Sequence, residues 1–128
     1  MDTIIYLTLE EVLIIHEDQI ERYGGSSGLR DITLLESAVY RPQTLFAGRD
    51  LYISHFEKAA ALLHSLVMNH AFIDGNKRTG TASILVFLES NGVHVSIRNR
   101  ELAKAVLCIV NEKWSINTIV AWLKNITA

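Results

Sequence analysis

The chain has little of what several protein classes need. Its 128 residues include one cysteine, Cys108, and one proline, while 49% of them are hydrophobic. A single cysteine excludes a disulfide within the chain and favours a reducing, cytoplasmic compartment, and we expect Cys108 to pack as a small buried side chain. The apolar, proline-poor composition excludes a disordered or linker-rich protein. The length predicts one domain over residues 1–128.

The chain also lacks an excess of charge of one sign and a long hydrophobic run. Twelve Lys and Arg residues stand against fourteen Asp and Glu residues, a formal net charge of −2. This balance gives no broad basic footprint, so we expect no direct nucleic-acid or membrane partner. The longest uncharged run, from Ala59 to Ile73, is shorter than the roughly 20 apolar residues of a membrane-spanning helix. The first residues, Met1-Asp2-Thr3, lack the positive flank of a secretory signal.

What the chain does contain is a series of helix signals. Apolar residues recur at three- and four-residue spacing in about six segments. Thr8 with Glu11 and Ser54 with Glu57 have the spacing of a capping box, which predicts that helices begin there. Gln43–Asp50 has no helical period and predicts an exposed loop or small hairpin. The pattern predicts an all-α domain of about six helices with short connections.

Two segments give more specific expectations about packing. Ile4–Leu7 has the composition of a short strand. Ala82–Leu88 has hardly a polar atom, and a helix that is apolar on nearly all sides is typical of the centre of a bundle. We therefore expect the helix that contains Ala82–Leu88 to lie at the centre of the domain.

One segment, His70–Gly80, concentrates the polar side chains that the chain otherwise avoids. Gly75 permits a tight turn into a helix, and the first N–H groups of a helix can bind an anion. Lys77 and Arg78 add positive charge at this N-terminus, where cations oppose the helix dipole. The negative charge of a bound polyphosphate would offset this unfavourable placement of the cations, so the segment predicts a phosphate ligand.

Two side chains beside this turn supply the remaining parts of a transfer site. A phosphate-rich ligand commonly brings Mg²⁺, which one or two carboxylates hold together with phosphate oxygens, and Asp74 is the candidate ligand. An imidazole accepts a hydroxyl proton readily near neutral pH, which makes His70 the candidate base. Each residue alone is more often structural, so the interpretation depends on their joint spacing. Together they are the parts needed to move a phosphoryl or nucleotidyl group onto a hydroxyl.

This spacing resembles the motif of the Fic/Doc proteins, His-x-Phe-x-Asp/Glu-Gly/Ala-Asn-Gly/Lys-Arg. The matching residues are His70, Phe72, Asp74, Gly75, Asn76, Lys77 and Arg78. The resemblance extends to Arg-Tyr-Gly-Gly at 22–25, Arg-Pro-Gln at 41–43 and Phe-Leu-Glu at 87–89. It implies a Fic-type helical bundle whose flap, the segment Gln43–Asp50, positions the target beside the site.

The resemblance also implies roles for the site residues. His70 would be the general base, and Asp74 would be the ligand of Mg²⁺. Four residues would bind ATP, either by shaping the anion-binding turn or by holding phosphates: Gly75, Asn76, Lys77 and Arg78.

Two positions separate the branches of this family. The branch that transfers AMP usually has glycine in place of Lys77 and a second arginine in place of Thr81. Both differences match the death-on-curing (Doc) toxin branch. The resemblance then implies a bacterial toxin that transfers the terminal phosphate of ATP to a Ser or Thr hydroxyl of a protein, with translation elongation factor Tu as the expected target, and so blocks translation. The sequence has no Ser/Thr-x-x-x-Glu-Gly/Asn inhibitory motif, so we expect inhibition in trans by a cognate antitoxin.

Two other interpretations remain open at this point. The same fold could transfer AMP to a protein hydroxyl. The chain could instead be a catalytically idle binding module, or a helical nucleic-acid binder that uses Lys77 and Arg78. The near-neutral charge counts against nucleic acid, and the complete set of motif residues counts against an idle module.

Overall fold

A computed structural model describes residues 3–127, and for residue 99 the backbone only. Over that range the chain forms six α-helices: α1 (Leu9–Tyr23), α2 (Ile32–Tyr40), α3 (His55–Met68), α4 (Asn76–Ser90), α5 (Asn99–Asn111) and α6 (Ile116–Ile126). A 3₁₀ turn, Arg41–Gln43, follows α2, and the strands β1 (Leu45–Phe46) and β2 (Arg49–Asp50) form an antiparallel hairpin before α3. The prediction of an all-α fold with about six helices and a small hairpin is confirmed.

The predicted helix starts are present as hydrogen-bonded caps. The Thr8 hydroxyl accepts the Glu11 N–H at 3.1 Å, and the Glu11 carboxylate accepts the Thr8 N–H at 3.0 Å. At α3 the Ser54 hydroxyl accepts the Glu57 N–H at 3.1 Å. Such contacts satisfy backbone donors that have no partner inside the helix. The Ser/Thr-x-x-Glu pattern was therefore sufficient to locate both starts.

The helix at the centre of the domain is α3, so the expectation for Ala82–Leu88 was wrong. Nearly every residue of α3 from Lys58 to Val67 is buried, and α3 packs against α2, α4, α5 and α6. On α4, Ile84 and Leu88 are buried, whereas Leu85 is only half-buried and faces an open cleft. The helix α4 is apolar on two sides because one side packs on α3 and another lines that cleft.

Two smaller expectations also fail. Ile4–Leu7 is not a strand, because the side-chain amide of Asn91 pairs with the N–H and carbonyl of Ile5 at 2.8 and 2.9 Å. Cys108 is half-buried rather than buried. A hydrogen bond with the Glu112 carboxylate raises the pKa of its thiol. Within the described residues, no helix is long and apolar enough to cross a membrane.

The hairpin is attached to the core by a buried ammonium group. Lys58 of α3 is 1% exposed, and its Nζ lies 3.3 Å from the Asp50 carboxylate of β2. The same Nζ donates to the carbonyl of Tyr52 and lies 5.6 Å from the centre of the Tyr6 ring. A buried charge is costly unless it is paired, so these contacts fix the base of the hairpin.

The guanidinium of Arg41 makes a second attachment on the other side of the hairpin. It donates to the Tyr52 hydroxyl at 3.2 Å and to the Ser65 hydroxyl at 2.9 Å. It also lies 2.9 Å from Nδ1 of His64, which must accept because guanidinium only donates. Burial, with the charge of Arg41 adding to it, lowers the pKa of His64. The segment between α2 and α3 is thus held at both ends.

The close approach of α3 and α4 at Gly80 gives the first testable prediction. A Cβ at Gly80 would lie 3.0 Å from Val67 Cγ2 and 3.3 Å from Leu63 Cδ1. We expect Gly80→Val to lower the free energy of unfolding by about 1–3 kcal/mol, because overpacking forces the helices apart. Urea denaturation measures the change. The control Ser90→Val, at the exposed end of the same helix, should stay within about 0.5 kcal/mol of the wild type; equal stability of the two variants would contradict close packing.

Candidate active site

A cleft of about 780 Å³ opens between α1, α4 and α5. Its polar end contains every predicted site residue: His70, Asp74, Gly75, Asn76, Lys77 and Arg78. Its apolar wall comes from α4 and α5 and includes Ala82, Leu85, Leu102, Val106 and Leu107. The fold therefore brings the motif to one surface and adds an apolar wall that the motif does not contain.

The turn into α4 is closed by the side chain of Asn76. Its Oδ1 accepts the Phe72 N–H at 3.0 Å, and its Nδ2 donates to the Phe72 carbonyl at 2.9 Å. Gly75 stands in the left-handed conformation, φ +78°, and a Cβ there would lie 3.1 Å from Ile20 Cδ1. No side chain caps α4, so its first N–H groups remain available to an anion at the cleft.

The carboxylate of Asp74 is exposed and held in place by two backbone donors. Oδ1 accepts the Gly75 N–H at 2.8 Å, and Oδ2 accepts the Ser26 N–H at 3.1 Å. These hydrogen bonds, that of Ser26 first, and the charge of Arg78 lower the pKa of Asp74. A carboxylate that stays ionised and keeps free lone pairs is a suitable oxygen ligand for a hard cation.

The donor set around Asp74 suits Mg²⁺ better than a metal held by protein alone. Among residues 3–127, no three His, Cys, Asp or Glu side chains converge as a metal site. Mg²⁺ is usually held by one or two carboxylates together with substrate phosphates and water. One ionised carboxylate next to an uncapped helix start fits that arrangement.

His70 lies just beyond α3, with its side chain exposed at the cleft. Its backbone is in the left-handed region, φ +51°, which is strained for a residue other than glycine. The Arg30 guanidinium donates to the His70 carbonyl at 2.7 Å and to the Asn69 carbonyl at 3.2 Å. Arg30 thus holds the candidate base in this conformation.

The segment before α2, residues 28–31, also holds residues 71–73 of the loop that contains the motif. The N–H groups of Arg30 and Asp31 donate to the Ala71 carbonyl at 2.8 and 3.0 Å, and the Ile73 N–H donates to Gly28. Leu29 and Phe72 form an isolated antiparallel bridge. The loop that contains the motif is therefore paired along its length with residues about 40 positions earlier in the chain.

The two basic residues of the motif differ in their contacts. The Arg78 guanidinium donates to the carbonyls of Gln19 at 3.3 Å and Gly24 at 2.9 Å, at the C-terminal end of α1. The Lys77 ammonium is exposed at the cleft and makes no hydrogen bond within the described part of the chain. Arg78 is thus held in position with other N–H groups to spare, while Lys77 is free to reach a ligand.

One buried side chain of α1 also reaches the motif. His16 is 3% exposed, and its Nε2 lies 2.8 Å from the Asp74 carbonyl oxygen. Its ring is parallel to that of Phe72, with the ring centres 3.7 Å apart. The sequence shows His16 only as one residue on the apolar face of a helix, and it gives no signal for Arg30 or Ser26.

Comparison with known proteins agrees with this geometry. The Fic/DOC family model matches residues 6–88, from the segment before α1 to the last part of α4. The chain belongs to the Fic/DOC family. It is 46% identical to Toxin Doc of Mycolicibacterium smegmatis over 91 residues, which are 71% of this chain and 68% of that protein. It is 31% identical to Protein kinase doc of Escherichia phage P1 over 121 residues, 94% of each chain. The resemblance to the Doc branch is confirmed.

The contact between Gly25 and Asp74 gives a prediction with a matched control. A Cβ at Gly25, φ +115°, would lie 2.6 Å from Asp74 Oδ2, whereas one at Gly24, φ +83°, would meet no atom within 4 Å. Both positive φ angles strain an alanine, by roughly 1–3 kcal/mol each. We expect only Gly25→Ala to displace the carboxylate, which NMR would show as shifts of the Ser26 and Gly75 amide signals. If the Gly75 amide signal moved by the same amount in both variants, the close approach of residue 25 to the Asp74 carboxylate would be contradicted.

Proposed function

We propose that this chain is the toxin of a bacterial toxin–antitoxin pair and acts as an ATP-dependent protein kinase of Doc type. It transfers the terminal phosphate of ATP to a Ser or Thr hydroxyl of a protein, with translation elongation factor Tu as the expected target, and thereby blocks translation in the cytoplasm. One observation carries the proposal: a proton acceptor, an ionised carboxylate and an uncapped, cationic helix start line the same cleft. The similarity to Protein kinase doc along 94% of both chains supports it.

The cleft suits ATP in size and in the distribution of polarity. Its volume of about 780 Å³ lies within the roughly 300–1,000 Å³ of small-molecule sites. The start of α4 and Lys77 offer N–H groups and positive charge to the phosphates. The wall formed by α4 and α5 offers apolar surface.

Asp74 would hold Mg²⁺ together with phosphate oxygens. The cation would neutralise charge that develops on the phosphate oxygens during transfer. The contribution of the chain is to keep this carboxylate ionised and correctly placed through the N–H groups of Ser26 and Gly75.

In the proposed reaction, His70 accepts the proton of the target hydroxyl. The hydroxyl oxygen forms a bond to the γ-phosphorus of ATP, the bond from that phosphorus to the β–γ bridging oxygen breaks, and ADP leaves with the electron pair. Arg78, fixed by two carbonyls of the α1 end, and Lys77 stabilise the phosphate charge.

The hairpin offers a surface for the protein target. Leu45 and Phe46 of β1 are 64% and 72% exposed, and Ile53, just after the hairpin, is 74% exposed, although the base of the hairpin is fixed by Lys58 and Arg41. A hairpin that is anchored at its base and carries apolar side chains in solvent is suited to contact another protein. We expect inhibition to come from a cognate antitoxin, since the sequence contains no inhibitory motif of its own.

The decisive experiment separates phosphate transfer from the alternatives. The purified chain is incubated with elongation factor Tu, Mg²⁺ and ATP labelled in either the γ- or the α-phosphate, and the mass of the target is measured. We expect γ-label and a phosphate-sized increment. An AMP-sized increment with α-label would establish AMP transfer instead, and no increment with a competent target would favour an idle binding module.

Replacement of the candidate base tests the role of His70. We expect His70→Ala to lower the transfer rate by about 10²–10⁴-fold, because a positioned base contributes that much, while ATP binding persists. His94→Ala, which removes an exposed imidazole outside the cleft, is the control. Wild-type turnover of the His70 variant would exclude it as the base.

Removal of the free ammonium tests phosphate binding. A charged hydrogen bond contributes about 1.5–3 kcal/mol, so Lys77→Ala should weaken ATP binding by about tenfold or more. Calorimetry measures the affinity. Lys104→Ala makes the same change in net charge at an exposed residue that does not line the cleft, and it should bind ATP as the wild type does. An unchanged affinity of the Lys77 variant would argue against the contact.

A further inference from the structure

We infer that His16, a buried residue of α1, is a positioning residue that sets the direction of the Asp74 carboxylate. The inference rests on the proposed function, in which Asp74 holds Mg²⁺. His16 does not line the cleft and is 3% exposed, so it acts through Asp74 and not on the nucleotide.

The hydrogen bond between His16 and the Asp74 carbonyl determines which ring nitrogen of His16 carries a proton. Nε2 lies 2.8 Å from the carbonyl oxygen of Asp74. A carbonyl oxygen only accepts, so Nε2 carries a proton and donates it. The contact therefore requires an N–H at that ring position, which an apolar side chain of the same size lacks.

The carbonyl that His16 holds belongs to the same peptide unit as the N–H that binds the carboxylate. The unit joins Asp74 to Gly75, and its N–H donates to Asp74 Oδ1 at 2.8 Å. Because a peptide unit is planar, fixing the direction of its carbonyl fixes the direction of its N–H. His16 thus orients one of the two donors that hold the Asp74 carboxylate, while Ser26 supplies the other.

Packing keeps the His16 ring from turning away. The ring lies parallel to that of Phe72, at 5° and 3.7 Å between centres. The ring also lies close to Gly75, where an added Cβ would be 3.6 Å from His16 Cδ2. The imidazole therefore packs against the turn and donates a hydrogen bond to it. The two contacts together require an aromatic ring with an N–H.

Two replacements separate these contacts. His16→Phe keeps the stacking on Phe72 and removes the donor, whereas His16→Gln keeps an N–H donor and removes the ring. We expect His16→Phe to raise the Mg²⁺ concentration for half-maximal transfer about tenfold or more, because residues that orient a metal ligand typically have such effects. His16→Gln should restore most of the metal affinity.

The control and a second readout exclude a merely structural effect. Val12→Ala opens a cavity at a fully buried position of the same helix, and it should lower stability without changing the Mg²⁺ requirement. Binding of Mn²⁺ in the presence of ADP, followed by electron paramagnetic resonance, measures the metal affinity without turnover. An unchanged metal affinity in His16→Phe, or an equal loss in Val12→Ala, would overturn the inference.

NMR separates failure of this inference from failure of the proposed function. In the wild type we expect ¹⁵N shifts of a ring protonated at Nε2, and in His16→Phe we expect shifted amide signals of Gly75 and Ser26. If the wild type neither binds Mn²⁺ with ADP nor transfers phosphate, the proposed function fails. The spectra still show in that case whether His16 donates to the Asp74 carbonyl and orients the Gly75 amide. A ring protonated only at Nδ1, or unshifted amides, would show that His16 does not position Asp74.

Discussion

The site depends on a pair of hydrogen bonds between the side-chain amide of Asn76 and the backbone of Phe72. They close the turn that lets α4 begin at a left-handed glycine without a side-chain cap. The N-cap residue is Gly75, which has no side chain to offer a cap, so the first N–H groups of α4 stay open to the cleft. The asparagine of the motif thus shapes the candidate anion site.

Contacts from distant parts of the chain also hold this turn. Gly28, Arg30 and Asp31 hold the motif loop from one side through backbone and guanidinium hydrogen bonds. His16 supports it from α1. The position of His70 in the left-handed region is strained, and such strain persists only where neighbours determine the backbone. The buried helix α3 and the segment before α2 together supply those neighbours.

The elements and the motif could be predicted from sequence because their signals are local. Capping residues, helical spacing and the chain from His70 to Arg78 lie within a few positions of one another. Arg30 and Ser26 could not be found in this way, since they meet the motif across some 40 to 48 residues of chain. The central helix was misidentified for a related reason: Ala82–Leu88 is apolar partly because it lines a cleft, and composition alone does not separate a cleft wall from a core.

The structure also changes the electrostatic argument for a phosphate ligand. From sequence, Lys77 and Arg78 both oppose the dipole at the start of α4. In the fold, Arg78 meets the carbonyls of Gln19 and Gly24 at the C-terminal end of α1, where the dipole of that helix favours a cation. The unfavourable interaction between the Arg78 charge and the dipole of α4 is therefore offset without any ligand. Lys77 has no such compensation within the described residues, so the electrostatic argument for bound phosphate depends on Lys77, one of the two positions on which the resemblance to the Doc branch rests.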